Sequence, residues 1–177
     1  FCKHLIAEDL GISWQLPSGT RSEAIDAEVA QLLYQSGCTN LSYAPESGSP
    51  RVLKKIKKKV NLDNMIESMR DSVKSGINVK ANMIIGFPGE THTDIWRSFL
   101  FVARAAVAGL NDASIWIYSP YPGCSLFDEL REKGKIGAFD DEYFISLLSY
   151  ADIKNVTSWN DLISGGTLKY YRILGIM

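Results

Sequence analysis

Four short segments hold most of the residues that could do chemistry. They read Pro17-Ser18-Gly19-Thr20-Arg21, Pro45-Glu46-Ser47-Gly48-Ser49-Pro50, Gly86-Phe87-Pro88-Gly89-Glu90-Thr91 and Ser119-Pro120-Tyr121-Pro122-Gly123. Glycine lets a ligand approach the backbone closely, and proline holds a turn rigid. Glu46 has two readings. Its carboxylate can accept paired hydrogen bonds from ribose hydroxyls or bind an ammonium, or it can pair with Arg21 or Arg51 or cap the next helix. Arg21 can hold a carboxylate through its planar fork or sit in a surface ion pair. The turn at Gly86-Phe87-Pro88 has neither the G-x-G-x-x-G spacing nor a Gly-Lys-Thr, so it is no phosphate loop. It offers backbone N–H groups and an aromatic ring, with Phe87 either at a ligand or packed in the core.

Metal and nucleophile chemistry find less support. Cys2, Cys38 and Cys124 are far apart, odd in number and without C-x-x-C spacing, which argues against a disulfide framework and a self-contained zinc site. A reducing, cytoplasmic compartment is expected. Cys38 follows a helix-ending glycine and reads as a small buried hydrophobe. His4 and His92 stand apart from any ligand partner, and no Ser/His/Asp arrangement or H-E-x-x-H is present.

Helices and strands must bring the four segments together. Apolar residues recur with helical period at Ile25, Val29, Leu32 and Leu33, at Leu62, Met65, Ile66, Met69 and Val73, and at Ile95, Phe99, Val102, Ala106 and Val107. Asp26 and Asn61 mark two starts, and Thr91 with Asp94 resembles a capping box. Gly37, Gly76 and Gly109 mark the stops. Short apolar runs lie at residues 11–16, 41–44, 79–85 and 113–118, each expected to be a strand buried on both faces. Strand, helix, glycine, strand repeats as in a parallel sheet with right-handed crossovers. Further helices are expected at 125–133, 141–151 and 161–173. Ligands of such folds bind where strands end and loops lead into helices, which is where the four segments fall.

Composition bounds the class. The chain has 177 residues, 46% apolar and 22% charged, ordinary values for one globular domain with a real core. With 19 Lys+Arg against 20 Asp+Glu the net charge is −1, so there is no global field for nucleic acid or an anionic membrane. No apolar run reaches the roughly 18 residues of a membrane helix. Arg51 to Lys59 is locally basic. It reads as a solvated helix face with Val52, Leu53 and Ile56 turned inward, against a nucleic-acid surface.

The order and spacing of Trp14 and Arg21, Gly37-Cys38, Ala44 to Lys54, Ile84 to Thr91 and Pro120 to Gly123 resemble the later part of a radical S-adenosylmethionine (radical SAM) enzyme. The likeness covers about residues 8–130. It is nearest the branch that often carries a cobalamin-binding domain, alongside the anaerobic magnesium-protoporphyrin cyclases. The resemblance implies an α/β fold, a six-stranded partial (βα) barrel of which this chain holds four parallel strands over residues 1–135, followed by a helical extension at 136–177. It implies S-adenosylmethionine and a 4Fe–4S cluster as cofactors, with cobalamin open. Glu46 and Ser47 would hold the ribose and amino-acid part. Ile84, Gly86, Phe87 and Pro88 would lie beside the adenine, with Tyr118 and Pro120 near it, and Arg21 would meet the carboxylate. The implied partners are a small-molecule substrate and an external electron donor.

The family's Cys-x-x-x-Cys-x-x-Cys and Gly-Gly-Glu loops are absent, and the three cysteines do not substitute, since three thiolates must converge on one cluster. Both motifs are expected upstream of Phe1, which makes this chain a fragment, inactive alone. Two rivals stand beside this reading. One is a barrel using Glu46 and Glu90 for acid–base chemistry. The other is a cluster-free relative that binds a nucleotide or RNA through Lys54 to Lys59.

Overall fold

Side-chain caps on three helices fix the frame. Asp26 accepts from the Val29 N–H at the start of α2 (Ala27–Gln35), and Asn61 accepts from Asp63 and Asn64 at the start of α4 (Leu62–Lys74). Thr91 and Asp94 form a full capping box at the start of α5 (His92–Val107). Gly37, Gly76 and Gly109 follow these three helices with φ of 93°, 96° and 106°, in the left-handed region that spares them a Cβ clash. The computed structural model describes residues 1–21 and 24–175.

Around these helices run α1 (Cys2–Glu8), β1 (Trp14–Thr20), β2 (Cys38–Glu46), α3 (Pro50–Lys55), β3 (Asn78–Ile85) and β4 (Asp112–Ile117). Then come α6 (Ser125–Glu132), α7 (Asp141–Leu147), a 3-10 turn (Leu148–Tyr150) and α8 (Gly165–Leu174). The strands form one parallel sheet in the order β1-β2-β3-β4. The chain is an α/β partial barrel with four parallel strands and C-terminal helices.

The register stacks apolar residues in rows. Leu41 lies beside Val79, Met83 beside Ile115 and Ile85 beside Ile117, all buried against α2, α4 and α5. These helices contribute Leu33, Met65, Met69, Ile95 and Phe101. The buried Tyr43 bonds through its hydroxyl to Ser68 Oγ at 2.9 Å and Ser72 Oγ at 3.1 Å, which removes the cost of an unpaired group in the core.

The opposite face corrects one expectation. The strands are not buried on both faces. In β3 the alternation is strict, with Val79, Ala81, Met83 and Ile85 buried and Lys80, Asn82 and Ile84 only partly so. One face packs on helices and the other lines an open groove, so a period of two overrides the apolar run.

A second apolar cluster sits at the strand ends. Val52 of α3, Phe87, Tyr118, Leu126 and Leu130 of α6, Tyr143 of α7 and Trp159 meet there. Three boundaries differ from expectation. β1 runs on through Pro17, which a sheet edge with a register break between Leu16 and Thr20 can tolerate. The 141–151 helix ends at Leu147 and tightens into the 3-10 turn. The last helix begins at Gly165, because Ser158 and Asn160 hold the preceding segment in turns and Ser164 caps it by accepting from Thr167 N. α1 had no clear signature in the sequence and buries no residue fully.

Candidate functional site: a polar groove on the open face of the sheet

The open face forms a groove of about 810 Å³, within the roughly 300–1,000 Å³ range of small-molecule sites. Its floor is Ser42, Ala44 and Glu46 of β2, Lys80, Asn82 and Ile84 of β3 and Trp116 of β4. Gln15, Pro17 and Ser18 of β1 form one wall, and Lys58 and Tyr150 also line it. Tyr150 stacks on Trp116 with centroids 4.8 Å apart and planes within 8°. The Arg172 guanidinium stands 5.4 Å from the Trp116 ring centroid. Lys80 pairs with Asp112 at 2.9 Å.

Glu46 is the unusual residue. It ends β2 at φ +65°, a left-handed backbone that side-chain-bearing residues rarely adopt, just after a break in the β2–β3 register. Such strain persists only where surrounding structure imposes it, and it clusters at functional sites. Lys58 Nζ donates to Glu46 Oε1 at 3.2 Å. Arg51, one partner offered by the sequence, instead binds Asp94 through Nη2 and donates to Gly89 O at 2.9 Å. Arg21 is exposed, directly after β1.

Two of the four segments are tied to neighbouring helices, 45–50 to α5 and 86–91 to α3. Ser49 Oγ donates to Asp94 Oδ1 at 2.6 Å, Gly48 N to Ser98 Oγ at 2.9 Å and Lys55 Nζ to Pro88 O at 2.8 Å. Burial alone would raise the Asp94 pKa. The hydrogen bonds from Arg51, Ser49 and Thr91 outweigh that and hold its carboxyl well below the usual carboxylate range. Gly48 is required here, since a Cβ would lie 2.4 Å from Arg97 O.

Glu90 organises the 86–90 turn from inside. Its Oε2 accepts from Gly86 N at 2.6 Å and Phe87 N at 3.2 Å, and the side chain is buried. Burial pushes its pKa up to about 8, against the opposing pull of those two N–H groups. The turn's first two N–H groups are thus spent on Glu90 and not offered at the mouth. A buried, doubly bonded Glu90 is equally unsuited to be the acid or base of the rival barrel reading. Close approach at Gly86 serves packing too, because a Cβ there would meet Leu168 Cδ1 at 2.8 Å.

Of the residues singled out from the sequence, Glu46 and Ile84 line the groove. Ser47 is fully buried, its hydroxyl beside Ser98 Oγ and accepting from Ser49 N. Phe87 and Tyr118 pack together at 5.0 Å in the second apolar cluster. Burial pushes the Tyr118 hydroxyl pKa upward. Gly86, Pro88 and Pro120 are buried around the same turns. Pro120 O accepts from Tyr143 at 2.7 Å. Trp116, Tyr150 and Asn82 belong to the groove and were not singled out, and Lys58 was noted only as part of the basic run. Period two from Ile84 leads to Asn82, and register then leads to Trp116. Nothing local marks Tyr150.

Only the first part of the basic run is a helix face, since α3 ends at Lys55 and Lys57 takes φ +56°. Val52 and Leu53 are buried and Ile56 is partly so, while Lys55 and Lys58 are engaged with Pro88 O and Glu46.

Residues 3–102 match the model of the Radical SAM superfamily. The chain belongs to the Radical SAM superfamily. It is 32% identical over 150 residues to the cytidylyl-2-hydroxyethylphosphonate methyltransferase of Streptomyces wedmorensis, covering 81% of this chain and 27% of that protein. It is 31% identical over 121 residues to an uncharacterized methyltransferase of Pyrococcus horikoshii, covering 68% and 25%. Identity to the anaerobic magnesium-protoporphyrin IX monomethyl ester cyclase of Rubrivivax gelatinosus is 24%, covering 86% and 27%. The chain thus spans about a quarter of the length of these relatives. The radical SAM methyltransferase TsrM from Kitasatospora setae, solved with tryptophan and a SAM analogue, shares the fold at a TM-score of 0.63 and 15% identity, covering 75% of this chain and 26% of that one.

The family's cofactors are S-adenosylmethionine and a 4Fe–4S cluster, and the groove treats them differently. Its carboxylate, lysines, amides and apolar Ile84 suit a zwitterion joined to a ribose and a flat base. The cluster finds no fit. Among the described residues no group of three or more His, Cys, Asp or Glu could hold a metal. Cys38 is buried, its thiol pKa pushed up by burial, while Cys124 is exposed and Cys2 lies between. No helix among the described residues is long and apolar enough to cross a membrane.

Proposed function

We propose that this chain is the C-terminal part of a radical SAM barrel, with residues 1–135 as barrel and 136–177 as a helical extension, and that its groove holds S-adenosylmethionine. Glu46 carries the reading, as a strained carboxylate at a strand end, turned to an open polar groove. It accepts the ribose hydroxyls or the ammonium of the cofactor. Lys58, already on Glu46, faces the cofactor's own carboxylate, which Arg21 meets from the end of β1. Ile84 gives the adenine an apolar edge. Ser47, Gly86, Phe87, Pro88, Tyr118 and Pro120 act through packing and backbone, by fixing the rim beside the adenine.

A 4Fe–4S cluster, which the described residues do not hold, would supply the one-electron chemistry in the complete enzyme, while Glu46, Lys58 and Ile84 of this chain would bind and orient S-adenosylmethionine. The cluster ligands, a small-molecule substrate and an external one-electron donor complete that enzyme, and the free thiols of Cys2 and Cys124 suit a reducing cytoplasm. Likeness to named methyltransferases supports methyl transfer as the reaction, with cobalamin as its carrier. The test is anaerobic reconstitution of the complete enzyme with reductant and S-adenosylmethionine. The expected result is 5′-deoxyadenosine or methylated product from the complete enzyme and neither from these 177 residues alone. Turnover by the 177 residues alone overturns the reading.

A further inference from the structure

The 86–90 turn is held from inside by Glu90, from the α3 side by Arg51 and Lys55, which donate to Gly89 O and Pro88 O, and by one further side chain from outside the residues that match the family model. Glu90 ties the Gly86 and Phe87 N–H groups from inside. The outer hold is Asn160, seventy residues further on. Its Nδ2 donates to Phe87 O at 2.7 Å and Glu90 O at 2.8 Å, so one amide bridges both ends of the turn. Its Oδ1 accepts from Leu162 N at 2.7 Å. The side chain is 7% exposed, and its amide oxygen and nitrogen both have partners. Two neighbours press on the same turn. Trp159 joins Phe87 in the second apolar cluster, and Leu168 occupies the space a Cβ on Gly86 would need.

We infer that Asn160 is a positioning residue for the cofactor, locking the 86–90 turn from the C-terminal segment. The inference rests on the proposal that this turn borders the adenine. Phe87 O also accepts from Glu90 N at 2.9 Å, so the turn closes on itself without Asn160. What Asn160 adds is a fixed distance between the turn and the segment that carries Trp159. A ligand bound against the turn therefore orders residues 158–163, and by linkage that order strengthens ligand binding.

The experiment is a calorimetric titration of S-adenosylmethionine into the complete protein and its Asn160→Ala and Asn160→Asp variants. Hydrogen exchange at 86–90 and 158–163 is followed with and without ligand. Asn160→Asp keeps the shape and the acceptor for Leu162 N but sets a carboxylate against two carbonyls. Ser149→Ala is the control. It removes a buried hydroxyl that holds residues 155 and 157 without touching the turn. The expected result is affinity weaker by about fivefold or more in both Asn160 variants and unchanged in the control. Ligand-induced protection at 158–163 is expected in the parent and lost in Asn160→Ala. Parent-like affinity and protection in both variants, at a temperature where they are folded, overturn this inference and leave the proposed cofactor site standing. Absence of binding by the parent overturns both.

Discussion

Glu90 and Asp94 lie four residues apart and are shifted in opposite directions. That contrast sets the pH response of the site. The Glu90 carboxyl is neutral-favouring in the fold, at about 8 against an ordinary 4.5. Between those values the folded state holds a proton that the unfolded chain has lost. Stability therefore falls as pH rises through this window, by at most about 1.4 kcal/mol per pH unit, and levels off above it. Glu90→Gln should flatten that slope in denaturant titrations between pH 5 and 8; a parent-like slope would show that Glu90 is not its source. Asp94 works the other way. Its depressed pKa contributes stability at neutral pH that is lost as pH falls below the ordinary carboxylate range, and Asp94→Asn should remove that acid sensitivity. In the core, Tyr43→Phe removes the partner of the Ser68 hydroxyl, while Ser72 Oγ keeps its bond to Ser68 O at 2.9 Å. The substitution should cost about 1–2 kcal/mol in the same titration, whereas no loss would show that Ser68 re-pairs.

At the scale of elements, α2, α4 and α5 each carry a start and a stop signal, which is why they were legible. Asn61 accepts from two N–H groups, and Asn61→Ala should lower stability by about 1 kcal/mol, read as a drop in the melting temperature. An unchanged melting temperature would contradict the capping assignment. The strands were legible as apolar runs, but their two faces were not. Lys80 and Asn82 interrupt the β3 run, and only the packing of α4 and α5 decides that they face a groove. Pro17 looked like a loop because its edge position in the sheet is a tertiary fact. The C-terminal helices were misjudged in length because Ser158 and Asn160 spend their hydrogen bonds on turns, which periodicity does not register.

Over the whole molecule, the groove is assembled from residues distant in sequence. Glu46 and Ile84 could be found because they end apolar runs. Lys58, Tyr150 and Asn160 reach Glu46, Trp116 and Phe87 across 12, 34 and 73 residues of chain, and such contacts leave no local pattern. One side of the sheet is left as an open polar groove, while the other side supplies the core. The central claim is that Glu46 ends β2 in a strained backbone in order to hold S-adenosylmethionine. The most direct test is the affinity of the complete protein for S-adenosylmethionine before and after Glu46→Gln, with the cluster spectrum as the control for folding. Loss of the charged acceptor should weaken binding by about tenfold or more with the spectrum unchanged. Equal affinity in the two proteins would contradict the account.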